Sequence, residues 1–188
     1  MNMSFKTPLK YGLIGALVAC ILGFLNYLFY RQLFSTITMM SVIGFVTFAI
    51  TIFIPIWGGI TFRRENGGVL SFQNAFIAVF LIYSMSVAGS SLMSYLIPNV
   101  IDKDYPEQVF QLVKNTTSEM MEKLGTPQDQ IDKAMEKVTI EKFKPSILKT
   151  LQGFGISLLV AAAISLIIAA FVKRNVDAIK MPETGPSS

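Results

Sequence analysis

Four long stretches of the chain contain no charged residue, and this feature limits the possible folds more than any other. They run from Tyr11 to Tyr30, Gln32 to Phe62, Val69 to Ile101, and Thr150 to Val172. Each reaches the roughly 20 residues that an α-helix needs to cross about 30 Å of hydrocarbon. Segments of about ten residues with alternating polarity, which are typical of membrane β-barrels, do not occur. The sequence therefore predicts an all-α membrane protein with four transmembrane helices.

Composition narrows the chemistry that such a protein can perform. Hydrophobic residues make up 52% of the chain, charged residues only 15%, and the mean hydropathy is +0.54. Histidine is absent and Cys20 is the single cysteine, so neither an internal disulfide nor a His/Cys metal site can form. The four stretches also contain no basic side chain that could activate a serine and no pair of carboxylates. We therefore expect no enzyme, no bound cofactor and no metal site.

The charge-free stretches divide the chain into five segments. Residues 1–9 form an N-terminal tail, 10–101 carry helices one to three, 102–148 form a polar segment, 149–173 form helix four, and 174–188 form a disordered tail. We expect Pro55 to kink or fray the second helix, Ser71 to cap the third, and Pro98 to end it. An alternative for the N-terminus is a lipoprotein signal with Cys20 as the lipidated residue, but the apolar run continues well beyond that cysteine.

The polar segment 102–148 predicts a two-helix hairpin. Pro106 fits the first turn of a helix, Gly125 fits a helix C-terminus, and Thr126 with Asp129 resembles a capping box that starts a second helix. Apolar residues recur at helical spacing in both halves, so we expect the two helices to seal against one another. The alternative is an adaptable docking surface for a partner, formed by Met120, Met121 and Met135.

Basic residues on the short flanks predict the orientation. Seven of them fall on one side of the predicted membrane (Lys6, Lys10, Arg63, Arg64, Lys173, Arg174 and Lys180), against Arg31 on the other. The positive-inside rule then places both termini in the cytoplasm and the hairpin outside it, which is the periplasm for a bacterial inner membrane. Because the net charge of +4 is concentrated beside membrane ends, it indicates anionic lipid headgroups and no nucleic acid as partners.

The stretch "RRENGGVLSFQNAF", residues 63–76, predicts a tight turn between helices two and three. Asn66, Gly67 and Gly68 supply the positive-φ positions that such a reversal needs. Arg63 and Arg64 are expected to contact lipid phosphates. The alternatives are partner docking or an anion site, although a P-loop would need a Gly-Lys-Ser/Thr ending after a strand, which is absent.

Small residues recur at four-residue spacing in the predicted spans, where they let helices approach closely. These stripes contain Gly12 and Ala16 in helix one, Ser86, Ser90 and Ser94 in helix three, and Gly153, Ser157, Ala161 and Ser165 in helix four. They serve either packing within the bundle or docking onto another membrane protein or a second copy. We favour an accessory subunit or assembly factor of a larger complex. The alternatives are a small oligomeric transporter or channel with the helix-three serines along its path, and a lipid-handling protein that uses Arg63 and Arg64.

Several motifs along the chain resemble one family of small membrane proteins. They are "RRENGGVLSFQNAF", "IDKDYPEQ", "GTPQDQIDKAMEK" and "KPSILKTLQGFGISLLVAAAISLIIAAFVKR", which together extend over most of the sequence. The chain is similar to the four-helix bacterial family catalogued as domain of unknown function 4199. The resemblance implies this fold and an inner-membrane location, and it implies no catalytic residues.

Overall fold

The computed structural model describes residues 5–33, 36–144 and 146–173. Its helices in chain order are α1 (Lys6–Leu28), α2 (Tyr30–Leu33), α3 (Ile37–Glu65), α4 (Phe72–Leu96), α5 (Tyr105–Lys123), α6 (Gln128–Glu136) and α7 (Ile147–Val172). Four of them, α1, α3, α4 and α7, are long and apolar enough to cross a membrane, and no strand occurs within the described ranges. The predicted all-α fold with four spans is confirmed. The tail 174–188, predicted to be disordered, lies outside the described residues.

Helix α4 lies at the centre of the bundle and packs against α1, α3 and α7. Gly89 lets α4 approach α1 closely, because a Cβ added at this position would lie only 2.4 Å from the carbonyl oxygen of Ala16. The Cys20 thiol donates to the carbonyl oxygen of Gly89 across 3.4 Å at the same crossing. Cys20 is thus a packing residue in the middle of α1 in this structure.

The two ends of the bundle differ in how tightly they are packed. We call the end with the α3–α4 connection the turn end, and the end with α5 and α6 the polar end. A buried cluster fills the turn end, formed by Phe62, Leu70, Ala75, Ala78, Val79, Ile168, Ala169 and Val172. The outer surface is apolar along the whole bundle, with Phe45 and Leu159 each 73% exposed and Phe171 81% exposed, as expected for surfaces that face lipid.

One expectation about helix ends is wrong. Thr126 forms no capping hydrogen bond, since the N-cap of α6 is Pro127. The α-helix α4 ends at Leu96, close to Pro98 as expected, although the backbone then continues into a π-helical turn, Ile97–Ile101, with the proline in its first positions, where an amide is not needed. The other signals agree with the structure: Ser71 caps α4 by accepting from the Asn74 amide, and Gly125 has a φ of 75°.

Candidate functional site

A cleft opens between the transmembrane helices in the half of the bundle nearer the polar end. It consists of two cavities of about 340 and 430 Å³ that share five lining residues: Asn26, Thr47, Phe48, Thr51 and Tyr83. We call these joined cavities the central cleft. Helices α1, α3 and α4 form its walls, and α7 closes one side with Ile156, Ser157 and Val160. The cleft is therefore a space that all four spans create together.

Hydroxyl groups reach the cleft from α3 and α4 because they recur one helical turn apart. Thr47 and Thr51 lie four residues apart on α3, and Ser86 and Ser90 do so on α4, so each pair shares a face of its helix. The Thr51 hydroxyl donates to the carbonyl oxygen of Thr47 over 2.6 Å, and the Ser86 hydroxyl donates to that of Ile82 over 3.1 Å. These two hydroxyls are satisfied by their own helices and are tolerated in an apolar environment for that reason.

Tyr83 differs from those residues because its hydroxyl has no such partner. The side chain is only 5% exposed, lines both cavities, and forms no hydrogen bond within the described part of the chain. Asn26, on the facing helix α1, lines both cavities and is likewise without a hydrogen bond there. Neither polar group is itself fully buried: within the described residues the buried side-chain atoms without a hydrogen bond are the hydroxyls of Ser84 and Ser165, so the Tyr83 hydroxyl is accessible from the cleft. The cleft thus presents two neutral groups that are available to a ligand.

The cleft continues toward the polar end along α4 and α7. A further cavity of about 340 Å³ shares Ser90, Ser91 and Ser157 with the first one and extends to Lys144 and Lys149. On the other side, Tyr105 of α5 lines the wider cavity. Burial raises the pKa of the Tyr105 hydroxyl above its ordinary value, so this group is uncharged at neutral pH. Among the described residues that line these three cavities, positive charge is limited to Lys144 and Lys149 in the outermost one.

At the turn end the cleft is closed. The buried cluster around Phe62, Val79 and Val172 lies between the cleft and that end of the bundle. Helices α3 and α7 meet here, and a methyl group on Gly59 would lie 3.3 Å from Val172. A single copy in this conformation is packed at the turn end, and its cavities extend toward the polar end.

The predicted small-residue stripes fall into two groups. In the first group, Gly12 and Ala16 lie in the α1–α4 contact, where Gly12 is buried against Met85. Ser86 of α4 is only 2% exposed, and Ala161 and Ser165 are fully buried in the α4–α7 contact. In contrast, Ser90, Ser94, Gly153 and Ser157 are exposed, and all four lie nearer the polar end. The stripes therefore contribute to packing at the turn end and line an open surface near the polar end.

The predicted turn and headgroup residues lie at the turn end, far from the cleft. Gly67 and Gly68 have φ values of 76° and 80°, whereas Asn66 has a φ of −95°, so the expected positive φ at Asn66 is wrong. Asn66 instead ends α3, and its side-chain amide donates to the Phe62 carbonyl oxygen over 2.7 Å. Arg64 is exposed, while the half-buried Arg63 donates to a carbonyl oxygen of α7.

The central residue of the cleft, Tyr83, was not singled out by the sequence analysis. Its neighbours on α4 in sequence are apolar or small, so periodicity alone assigns it to the core. The Thr47 and Thr51 pair did offer a signal, since two threonines one turn apart in an apolar span mark a polar strip. Within the described ranges, no group of three or more Cys, Asp or Glu side chains could hold a metal ion.

Comparison with known proteins identifies one family. A family described as "Protein of unknown function (DUF4199)" matches residues 10–174. No curated protein and no solved structure matches the chain.

Proposed function

Since the chain belongs to this uncharacterised family, we propose a function from its own structure: a non-enzymatic integral membrane protein that serves as an accessory subunit or assembly factor of a larger membrane complex. Four apolar spans support membrane integration. The proposal further places the protein in a bacterial inner membrane with cytoplasmic termini and α5 and α6 in the periplasm. Positive charge on the short flanks supports that orientation.

The observation that carries the proposal is the uncovered half of α7. A Cβ added at Gly153 would have no neighbour within 4 Å, whereas one at Gly12 or Gly89 would collide with another helix. Ser157 is exposed on the same half of the helix. Small residues favour helix association in membranes because they permit close backbone contact. The fold itself uses such contacts at the turn end and leaves this second set available to a partner helix.

Site-specific photocrosslinking in native membranes tests this role. A photoreactive residue at Gly153 or Ser157 should give a crosslinked product of one defined mass. The control position is Leu159, which lies on the opposite side of α7 and is 73% exposed. We expect it to label only lipid. A product with twice the mass of the chain would identify a second copy as the partner, and equal labelling from all three positions would contradict the proposal.

A matched pair of substitutions separates docking from folding. Gly153→Leu places a bulky side chain on the uncovered face, where an added Cβ meets no atom within 4 Å, so we expect the protein to fold normally and to lose its partner. Leu159→Ala changes an exposed side chain outside this face and should leave the association intact. Loss of the partner in both variants, or in neither, would contradict the assignment of the docking face.

A second candidate function is a small oligomeric transporter or channel, and the central cleft favours it. The path along Ser86, Ser90 and Ser94 is polar, but the cluster around Phe62 closes it in a single copy. Transport would require that barrier to open, or copies to enclose a path between them. Replacing Ser90 and Ser94 together with alanine should reduce solute flux in liposomes and leave thermal unfolding unchanged. Unchanged flux would rule out this path.

A further inference from the structure

We propose that the central cleft binds an uncharged amphiphile, a molecule with an apolar body and one neutral hydrogen-bonding group. This binding site goes beyond the accessory role and requires no protein partner. Four observations carry it: the size of the cavities, the absence of charge along their walls, the unpaired Tyr83 hydroxyl, and the side opening between α3 and α7.

Cavity size fits a small ligand better than a helix. Ligand sites in proteins commonly enclose about 300–1,000 Å³, and the two joined cavities measure about 340 and 430 Å³. An α-helix with its side chains is about 10–12 Å across and needs a longer groove. The two sites adjoin, because Ser157 lies on the uncovered face of α7 and also lines the cleft; the part of the cleft between α1, α3 and α4 is the part that fits a small molecule.

Neutral walls determine the charge of the ligand. No residue that lines either cavity, within the described chain, is an aspartate, glutamate, lysine or arginine. Moving an ion into such surroundings is costly unless an opposite charge accompanies it. Most of the lining is apolar, with Leu22, Phe48 and Val87 as examples, so the larger part of the ligand is apolar as well.

Tyr83 and Asn26 determine which polar group the ligand carries. A tyrosine hydroxyl can donate and accept, and an asparagine amide offers both a carbonyl oxygen and an NH₂ group. A hydroxyl, carbonyl or amide on the ligand would therefore satisfy either residue. The Tyr83 residue as a whole is only 5% exposed, yet its hydroxyl oxygen is accessible from the cleft and has no hydrogen-bond partner among the described residues, so a ligand in the cleft can bond to it.

Three residues that line the cleft, Phe48, Ile156 and Val160, are also 50%, 64% and 51% exposed, so this side of the cleft reaches the apolar outer surface and supplies a route for an amphiphile. Thr47 and Phe48 of α3 flank the opening on one side, and Ile156 and Val160 of α7 flank it on the other. The two helices meet near Gly59 and Val172, far toward the turn end. An amphiphile dissolved in the membrane can thus enter without crossing a layer of packed side chains.

Photolabelling of the full-length protein in liposomes tests the proposal. The probe is a long-chain primary alcohol that carries a diazirine, and the matched probe is a quaternary ammonium of the same chain length. We expect the alcohol probe to label peptides that contain Asn26, Thr47 or Tyr83, and we expect an excess of the alcohol without the diazirine to suppress this labelling. The ammonium probe should leave the same peptides unlabelled. Labelling confined to lipid-facing residues such as Phe45 would overturn the proposal.

Two tyrosine variants test the role of the hydroxyl. Tyr83→Phe removes only an unpaired oxygen, so folding should persist while the concentration needed for half-maximal competition rises roughly threefold to tenfold, as expected for one hydrogen bond. Tyr95→Phe removes the same group from a residue outside the central cleft and should change nothing. Equal competition in Tyr83→Phe and the unaltered protein would overturn the assignment of Tyr83.

Water access provides an independent check that also separates this site from the transport candidate. In a Cys20→Ser background, we expect Thr51→Cys to resist a charged, membrane-impermeant thiol reagent, because a cleft filled by an amphiphile excludes bulk water. Gln130→Cys, on the exposed surface of α6, should react fully as the positive control. Rapid reaction at Thr51→Cys would overturn the amphiphile proposal and favour a hydrated transport path.

Discussion

The Nη1 atom of Arg63 donates a hydrogen bond to the carbonyl oxygen of Val172, over 3.1 Å. This contact joins the last turn of α3 to the last residue of α7, and a guanidinium at a helix C-terminus also complements the helix dipole. Beside it, Phe5 packs on Phe62 with ring centroids 5.5 Å apart. The turn end is therefore fastened by polar and apolar contacts, and the opening of the bundle is confined to the other half.

Replacing Arg63 should destabilise the bundle. Arg63→Ala removes a charged donor from a half-buried site and leaves the Val172 carbonyl without this partner, so we expect a loss of about 1–2 kcal/mol in unfolding free energy. The exposed neighbour provides the control, since Arg64→Ala should remain within about 0.5 kcal/mol of the unaltered protein. Thermal unfolding in detergent measures both. Equal losses would show that Arg63 acts only through its charge at the membrane surface.

The crossing of α1 and α4 should not tolerate even one added carbon. Gly89→Ala places a methyl group 2.4 Å from a backbone oxygen of α1, which cannot rotate away. We expect a cost of about 3 kcal/mol or complete loss of the folded protein. Gly155→Ala adds the same methyl group where nothing lies within 4 Å, and it should be neutral or slightly stabilising. Expression level and thermal unfolding distinguish the two, and similar behaviour would contradict the observed packing.

Tyr105 should hold α5 against α1. Its ring lies edge-on to Tyr27 and Tyr30, with centroids 5.3 and 5.2 Å away. Tyr105→Ala removes both contacts, each worth about 0.5–1.5 kcal/mol, so amides of α5 should exchange hydrogen faster. Tyr105→Phe keeps the ring and should preserve protection. If the phenylalanine variant also loses protection, the hydroxyl rather than the ring holds the helix.

The four spans were predictable because the bilayer imposes a simple requirement. Runs such as Val69 to Ile101 are long, apolar and free of charge, and of the two structures that satisfy backbone groups in hydrocarbon, helices and closed barrels, only helices fit this pattern. Local signals were equally informative at Ser71, which caps the start of α4, and at Gly125, which adopts a positive φ. Both features depend only on residues nearby in the sequence. Pro98 correctly indicated the end of α4, but not the π-helical turn after it, because proline is also compatible with the first turn of a new helical segment.

The cleft could not be predicted in the same way. Its existence depends on where α3 separates from α7, and that depends on packing among Phe62, Val79 and Val172 at the turn end. The serine stripe at Ser86, Ser90 and Ser94 did indicate a polar strip on α4. The importance of Tyr83, however, rests on the absence of a partner for its hydroxyl, which only three-dimensional contacts reveal.

The proposed orientation makes a direct prediction about accessibility. In a Cys20→Ser background, an impermeant maleimide added to intact spheroplasts should label Gln130→Cys and should label Arg64→Cys only after the membrane is disrupted. Both positions are exposed in the structure, so a difference reports sidedness rather than burial. The opposite pattern would place the termini outside the cytoplasm and contradict the positive-inside assignment.

Native mass spectrometry of the protein, extracted in mild detergent from its own membranes at native expression, tests the accessory role most directly. The uncovered face of α7 predicts a stoichiometric second polypeptide that remains bound to the unaltered protein and is lost from Gly153→Leu. A clean monomer, or a complex that contains only copies of this chain, would contradict an accessory subunit.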